Sequence, residues 1–161
     1  MLVTSLIIMG VAGSGKTTVA RLLAEKLQWA FLDADDFHPP ANIAKMEAGI
    51  PLDDSDRGPW LIALNEELRF TLAAGRHPVL ACSALKESYR IILRQGIDGL
   101  QIVHLKESYG LIWSRIATRQ GHYMKPDILR SQFEGLEEPV DARVVDVRLM
   151  VDEIVETILK T

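Results

Sequence analysis

At 161 residues, 48% hydrophobic and 25% charged, the chain has the composition of a single globular domain able to bury a full core. A net charge of −4 argues against an electrostatic nucleic-acid binder, which would be basic. The one cysteine, Cys82, leaves no internal disulfide and suits a reducing, cytoplasmic location; the first apolar run is too short to cross a membrane and lacks the basic flank of a signal peptide.

In chain order, Leu6-Ile7-Ile8-Met9 reads as a buried strand and runs into Gly10-Val11-Ala12-Gly13-Ser14-Gly15-Lys16-Thr17-Thr18. That spacing, G-x-x-x-x-G-K-T between a strand and a helix, is that of a P-loop. Glycines let backbone N–H groups close around phosphate oxygens at a helix N-terminus, where the dipole favours anions. Lys16 can reach the β- and γ-phosphates, and Thr17 can offer its hydroxyl to Mg²⁺. Thr17 to Gln28 has the period of a helix packed on a sheet, and Trp29 to Leu32 reads as a second strand. A helix is expected from Pro40, stopped by Gly49, and a long one opened by Pro59 and stopped by Gly75.

Pro78 to Cys82 reads as the third strand and Leu100 to Leu105 as the fourth. Between them Ser83 to Gln95 is loop, then helix. Ser108 can cap a further helix, which runs into the polar break around Gly121-His122; a short helix follows at about Asp127 to Gly135. Val144 to Val147 is the fifth strand and Val151 to Lys160 a closing helix. Alternating strands and helices imply an α/β fold, a five-stranded parallel sheet covered on both faces in three layers. Ligands in such sheets sit at the carboxyl ends of the strands.

The second strand ends in Asp33-Ala34-Asp35. If the strand geometry persists, both carboxylates point to one side. There they can support Mg²⁺ through water or take a proton from an attacking hydroxyl. His38 follows in the same loop. The third strand ends in Cys82-Ser83-Ala84-Leu85-Lys86 with no acidic residue, so Asp33 and Asp35 are the carboxylates available for metal support. Lys86 and Arg90, one helical turn apart, can bind an anionic group. Arg115 and Arg119 lie four apart just before the polar break, where a lid could bring cations to a transferring phosphoryl group. Cys82, Trp60 and Trp113 read as packing residues.

Several stretches resemble gluconokinase, the small P-loop kinase that phosphorylates D-gluconate with ATP. They are Gly10 to Thr17, Phe31 to Asp35 with His38-Pro39, Asn42 to Met46, Gly49 to Leu52, Asp54, Asp56-Arg57 and Pro59 to Leu61. Cys82 to Lys86 with Tyr89-Arg90, Arg119 with Gly121-His122, and Gln132-Phe133 through Pro139 complete the set. The P-loop marks only a superfamily; the Leu52–Trp60 and Cys82–Arg90 blocks are far more specific. The resemblance implies a nucleoside-monophosphate-kinase-like fold over residues 1–161, a substrate-binding segment at about 36–75, a lid at about 117–126, and a homodimer. ATP, Mg²⁺ and D-gluconate are the implied ligands, with no nucleic acid or membrane partner. Gly10, Gly13, Ser14, Gly15, Lys16, Thr17 and Thr18 would hold the triphosphate, with Arg115 and Arg119 over it. Lys16, Asp33, Asp35 and Arg119 would carry catalysis, Thr17 and Asp33 the metal, and Asp35, His38, Arg57, Lys86, Arg90 and His122 the sugar acid. The roles of Asp33 and Asp35 could be exchanged, and any of the basic residues could meet the substrate carboxylate. The family often has Gly at Ala34, Phe-Leu at Asp36-Phe37 and a basic residue at Pro40, departures that bear on fine substrate placement. Shikimate kinase shares the P-loop and paired-Asp strand end, and a nucleotide-monophosphate kinase is a further alternative. A nucleotide-dependent switch would need Asn-Lys-x-Asp, which does not occur.

Overall fold

The computed structural model describes residues 2–106, 111 and 126–160. Five strands, β1 (Ser5–Met9), β2 (Ala30–Asp33), β3 (Pro78–Ala81), β4 (Leu100–Lys106) and β5 (Arg143–Asp146), form one parallel sheet in the order β2-β3-β1-β4-β5. The first strand is therefore central, with Ile7 opposite Leu80 on one side and Ile102 on the other. The chain leaves β1 toward one edge and returns to fill the other. The crevice this opens lies at the carboxyl end of β1, the position where such sheets bind ligands.

Strand alternation divides the core. Leu6 and Ile8 face α1 (Lys16–Leu27) and the closing helix, meeting Val19, Leu23, Ile154 and Val155. Ile7 and Met9 face the other way, against Trp60, Leu61, Leu64 and Leu68 of α3 (Asp54–Ala73) and Tyr89 and Leu93 of α4 (Glu87–Arg94). Fully buried leucines such as Leu64 and Leu68 each contribute roughly 1.5–3 kcal/mol by transfer from water. Among the described residues the remaining helices are α2 (Pro40–Glu47), α5 (Pro126–Gly135) and α6 (Val151–Leu159).

Two local expectations change. The long helix begins at Asp54, not Pro59. Asp53 accepts from the Asp56 N–H at 2.8 Å while Asp56 accepts from the Asp53 N–H at 3.0 Å, a reciprocal capping box that starts the helix a turn and a half early. Pro59 is then an interior residue whose missing N–H the helix tolerates. The second strand also stops at Asp33, and Ala34–Phe37 forms a 3-10 turn. Strand alternation therefore does not carry through to Asp35.

Helices α3 and α4 are joined by more than apolar contact. The buried Asn65 donates to the carbonyls of Leu93 at 3.0 Å and Gln95 at 2.9 Å, closing the C-terminus of α4. Replacing Asn65 by Ala leaves those two acceptors unmatched. We expect a loss of ~1–3 kcal/mol in urea unfolding, and a loss below ~0.5 kcal/mol would show that water replaces the amide freely.

Candidate active site

The loop after β1 takes its shape from two glycines. A Cβ on Gly10 would fall 2.7 Å from Ser14 Oγ and 2.9 Å from the Leu105 carbonyl, so only hydrogen fits. Gly15, at φ 95°, is the residue before α1 in the left-handed region that side chains avoid. The first N–H groups of α1 then point out of the helix without intrahelical partners. Lys16 folds back, donating from Nζ to the Val11 carbonyl at 3.1 Å. Burial pulls its pKa down, and the opposing pull comes from Asp35, then Cys82 and Asp33. Gly10 and the buried Ser14 shape the loop from beneath. Gly13, Gly15, Lys16, Thr17 and Thr18 line a cavity of about 480 Å³ in front of it.

Asp33, at the end of β2, and Asp35, carried by the 3-10 turn, line the same cavity. Asp33 caps that turn, accepting from the Asp35 N–H at 3.0 Å. The turn leaves the Asp35 carboxylate three-quarters exposed, opening toward the cavity. Partial desolvation within the cleft, then repulsion from Asp33, raises the Asp35 pKa against the pull of Lys16.

Behind Asp35 stands a neutral imidazole. His38 stacks on Trp60, rings 4.3 Å apart and 13° from parallel, and Trp60 donates from Nε1 to the Ala34 carbonyl at 2.7 Å. The buried Asn42 amide donates to the Asp56 carbonyl at 3.0 Å and faces His38 Nδ1 at 3.1 Å. An amide NH₂ only donates, so Nδ1 accepts and the ring proton sits on Nε2, 3.9 Å from Asp35 Oδ1. Burial, with Arg57 adding to it, lowers the His38 pKa to about 4. Trp60 thus does more than pack: it is a wall of the cavity.

The basic residues separate into two groups. Arg57 lines the cavity. Its Nη1 donates to the Leu52 carbonyl and, at 3.3 Å, to the Tyr89 hydroxyl; Nη2 and Nε have no partner among the described residues. Lys86 and Arg90 do not line it. Lys86 pairs with Asp54 at 2.9 Å, an ion pair also held by the Tyr89 hydroxyl. Arg90 is 0% exposed, donating to the carbonyls of Ala84 at 2.7 Å, Leu85 at 3.1 Å and Glu137 at 2.8 Å, and to the Glu87 carboxylate at 2.9 Å. The expectation that it meets an anionic ligand is corrected: its buried guanidinium is taken up by the turn before α4, by Glu87 and by the Glu137 carbonyl after α5. Buried Cys82 lines the cavity floor with its thiol pushed up to about 12, so it is no nucleophile at neutral pH. Arg115, Arg119, His122, Trp113 and the lid lie outside the described residues.

Sequence reading missed Gln132. It lines the cavity from α5 and accepts from the Ala12 N–H at 2.7 Å. The only signal was its place in the Gln132–Pro139 block. Asn42, likewise, could not be linked to His38 without the fold of α2 against α3.

An anion cradle facing a carboxylate pair across one cavity is the layout of a P-loop kinase. The AAA domain model matches residues 6–142. An unliganded sugar kinase from Janibacter sp. HTCC2649 superposes with a TM-score of 0.91 at 41% identity, covering 98% of this chain and 92% of that one. The thermoresistant gluconokinase of Escherichia coli K12 is 42% identical over 96% of this chain and 90% of its own length. A gluconokinase structure from Sinorhizobium meliloti 1021 matches at 44% identity and a TM-score of 0.85 over 94% and 87% of the two chains. The chain belongs to the gluconokinase family.

The lowered His38 pKa makes a prediction about stability. A histidine whose folded pKa is depressed contributes fully above its unfolded value of 6.5, and the contribution is lost as pH falls toward the folded value of about 4. Wild-type protein should lose up to ~3 kcal/mol more than His38→Gln between pH 7 and pH 4 in denaturant titrations. Parallel pH profiles for the two proteins would contradict a buried neutral ring.

Proposed function

We propose that this chain transfers the γ-phosphoryl group of ATP to the 6-hydroxyl of D-gluconate, giving 6-phospho-D-gluconate and ADP. The observation that carries the proposal is that the P-loop lysine and an unpaired carboxylate, Asp35, line one cavity in a chain of this family.

The transfer is a direct in-line displacement. The bond from the γ-phosphorus to the bridging oxygen breaks, a bond to the sugar O6 forms, and the hydroxyl proton passes to Asp35. The backbone N–H groups around Gly13 to Thr17 and the Lys16 ammonium hold phosphate oxygens and take up the developing charge. A carboxylate whose pKa is raised above the usual range holds a proton better at the operating pH, which suits a base. The neutral His38 imidazole, held by Asn42 and Trp60, presents its Nε2 proton beside Asp35 and can orient a sugar hydroxyl or the carboxylate itself. Arg57, with free N–H groups on a fixed side chain, is our choice for the gluconate carboxylate.

The donor set also fits Mg²⁺. The Thr17 hydroxyl and the Asp33 carboxylate are oxygen ligands on the cavity wall, and Mg²⁺ takes few protein oxygens beside phosphate and water. Bound there, the ion would neutralise phosphate charge and polarise the transferring group. Arg115 and Arg119 belong to the proposal as cations closing over the triphosphate, and His122 as a further substrate contact. A homodimer in the cytoplasm belongs to the same proposal.

Side-by-side ADP-release assays with gluconate, shikimate and AMP test the acceptor. Gluconate alone should drive turnover; comparable rates with either of the others would overturn the assignment. Within the site, Asp35→Asn should abolish turnover while ATP still binds by calorimetry. A raised carboxyl pKa means that the fold resists ionisation there. That cost appears as pH rises through the folded pKa, so the neutral amide should keep or raise Tm. Near-wild-type turnover would remove Asp35 as the base. Arg57→Met should raise KM for gluconate by ~10–100-fold, from loss of a charge-assisted contact, with KM for ATP unchanged. Equal effects on both substrates would place the carboxylate elsewhere.

A further inference from the structure

Gln132 stands at the junction of the P-loop, the cavity and α5, and nothing in the mechanism above uses it. Its mount is rigid. Leu129, one turn earlier on α5, is fully buried among Val11, Leu105 and Val145, and Phe133 packs against the same cluster. Just beyond α5, the Glu137 N–H donates to the Leu85 carbonyl at 2.8 Å, its carbonyl accepts from Arg90 at 2.8 Å, and its carboxylate accepts from the Glu87 N–H at 2.8 Å. The C-terminal end of α5 is thereby pinned to the start of α4.

The carboxamide itself is oriented by chemistry. The group it meets on the loop is the Ala12 N–H, which only donates, so the atom 2.7 Å away is Oε1. That fixes the opposite end of the planar amide as Nε2, a two-proton donor. Among the described residues Nε2 has no acceptor, although the side chain lines the cavity shared by Lys16, Thr17 and Asp35. An anchored donor with no protein acceptor, beside an anion cradle, is preorganised for an anionic oxygen that arrives with the substrate.

We propose that Gln132 is a phosphoryl-contacting residue: Oε1 locks it to the P-loop at Ala12, and Nε2 donates to an oxygen of the transferring phosphoryl group. This rests on the phosphotransfer proposed above and adds no bond-making step to it. The contact strengthens as charge builds on the phosphoryl oxygens, so it acts on kcat more than on ground-state binding. It also ties the loop that binds the phosphates to the helix that follows residues 112–125.

The test separates the anchor from the donor. Gln132→Glu keeps an acceptor for the Ala12 N–H but removes the donor, whereas Gln132→Met removes both at nearly the same volume. Single-turnover transfer from ATP to gluconate, ADP affinity by calorimetry, and Tm are measured for both variants and for wild type. The expected result is a ~10²–10³-fold fall in transfer rate for Gln132→Glu, with ADP affinity and Tm unchanged. The ratio of the Gln132→Glu rate to the wild-type rate should climb as pH falls toward 5, because a protonated carboxyl regains a donor. Gln132→Met should be equally slow without that recovery, and it decides the matter if the glutamate variant fails to fold. A Gln132→Glu rate equal to wild type would overturn the donor role and leave only the anchor. Wild-type protein that transfers no phosphoryl group to gluconate would overturn the underlying activity, and this inference with it.

Discussion

Backbone amides that are to bind phosphate must be left unsatisfied by the protein, and a loop with unsatisfied amides needs a mount that holds it open. The whole sheet serves that requirement. The first strand is central, buried on both faces and paired with β3 on one side and β4 on the other, so the loop leaving it starts from the middle of the sheet. Gly10 lets the loop pass within a hydrogen's width of Leu105 on the neighbouring strand, and Gly15 turns it into α1. The contacts that steady the loop, from Lys16 to Val11 and from Gln132 to Ala12, leave the first amides of α1 free for a ligand.

The second requirement is a carboxylate kept open beside an ammonium group. Lys16 pulls the Asp35 pKa down, yet desolvation and Asp33 outweigh it. Asp33 is itself occupied with the Asp35 N–H, so the two carboxylates are not equivalent: one builds the turn and the other opens to the cavity. His38 stays neutral behind them because Asn42 and Trp60 enclose it, which avoids a competing cation at Asp35. These are polar groups held against their solvation preference, and the stability they cost is offset by the two apolar layers on the sheet.

Much of this was legible in the residue pattern. The G-x-x-x-x-G-K-T spacing between an apolar run and a helical period could only place a phosphate-binding loop at the end of a strand. The strand-helix alternation then fixed a parallel sheet. Asp33 and Asp35 do line one cavity, but only Asp33 belongs to the strand; a 3-10 turn and not strand alternation presents Asp35. The capping box at Asp53 and Asp56 was visible as D-x-x-D, but Pro59 carried the stronger helix-start signal and misplaced the boundary. Arg90 shows the limit most clearly. Charge and helical spacing cannot tell an arginine that meets a ligand from one that ties three carbonyls together; only the fold brings Ala84, Leu85 and Glu137 around it. Gln132 is the converse, a neutral residue with no motif chemistry that becomes significant only when α5 reaches the P-loop.

Two lines of constraint therefore meet in one cavity: an anion cradle and a carboxylate that opens toward it. The central claim is that they act on the terminal hydroxyl of a sugar acid. The most direct measurement is the ¹H–³¹P correlation spectrum of the product formed from ATP and D-gluconate. Phosphorus coupled to the two protons on carbon 6, with ADP formed in equal amount, is the predicted result. Phosphorus on the carboxyl group or on one of the secondary hydroxyls, or ADP formed without a phosphorylated sugar acid, would contradict it.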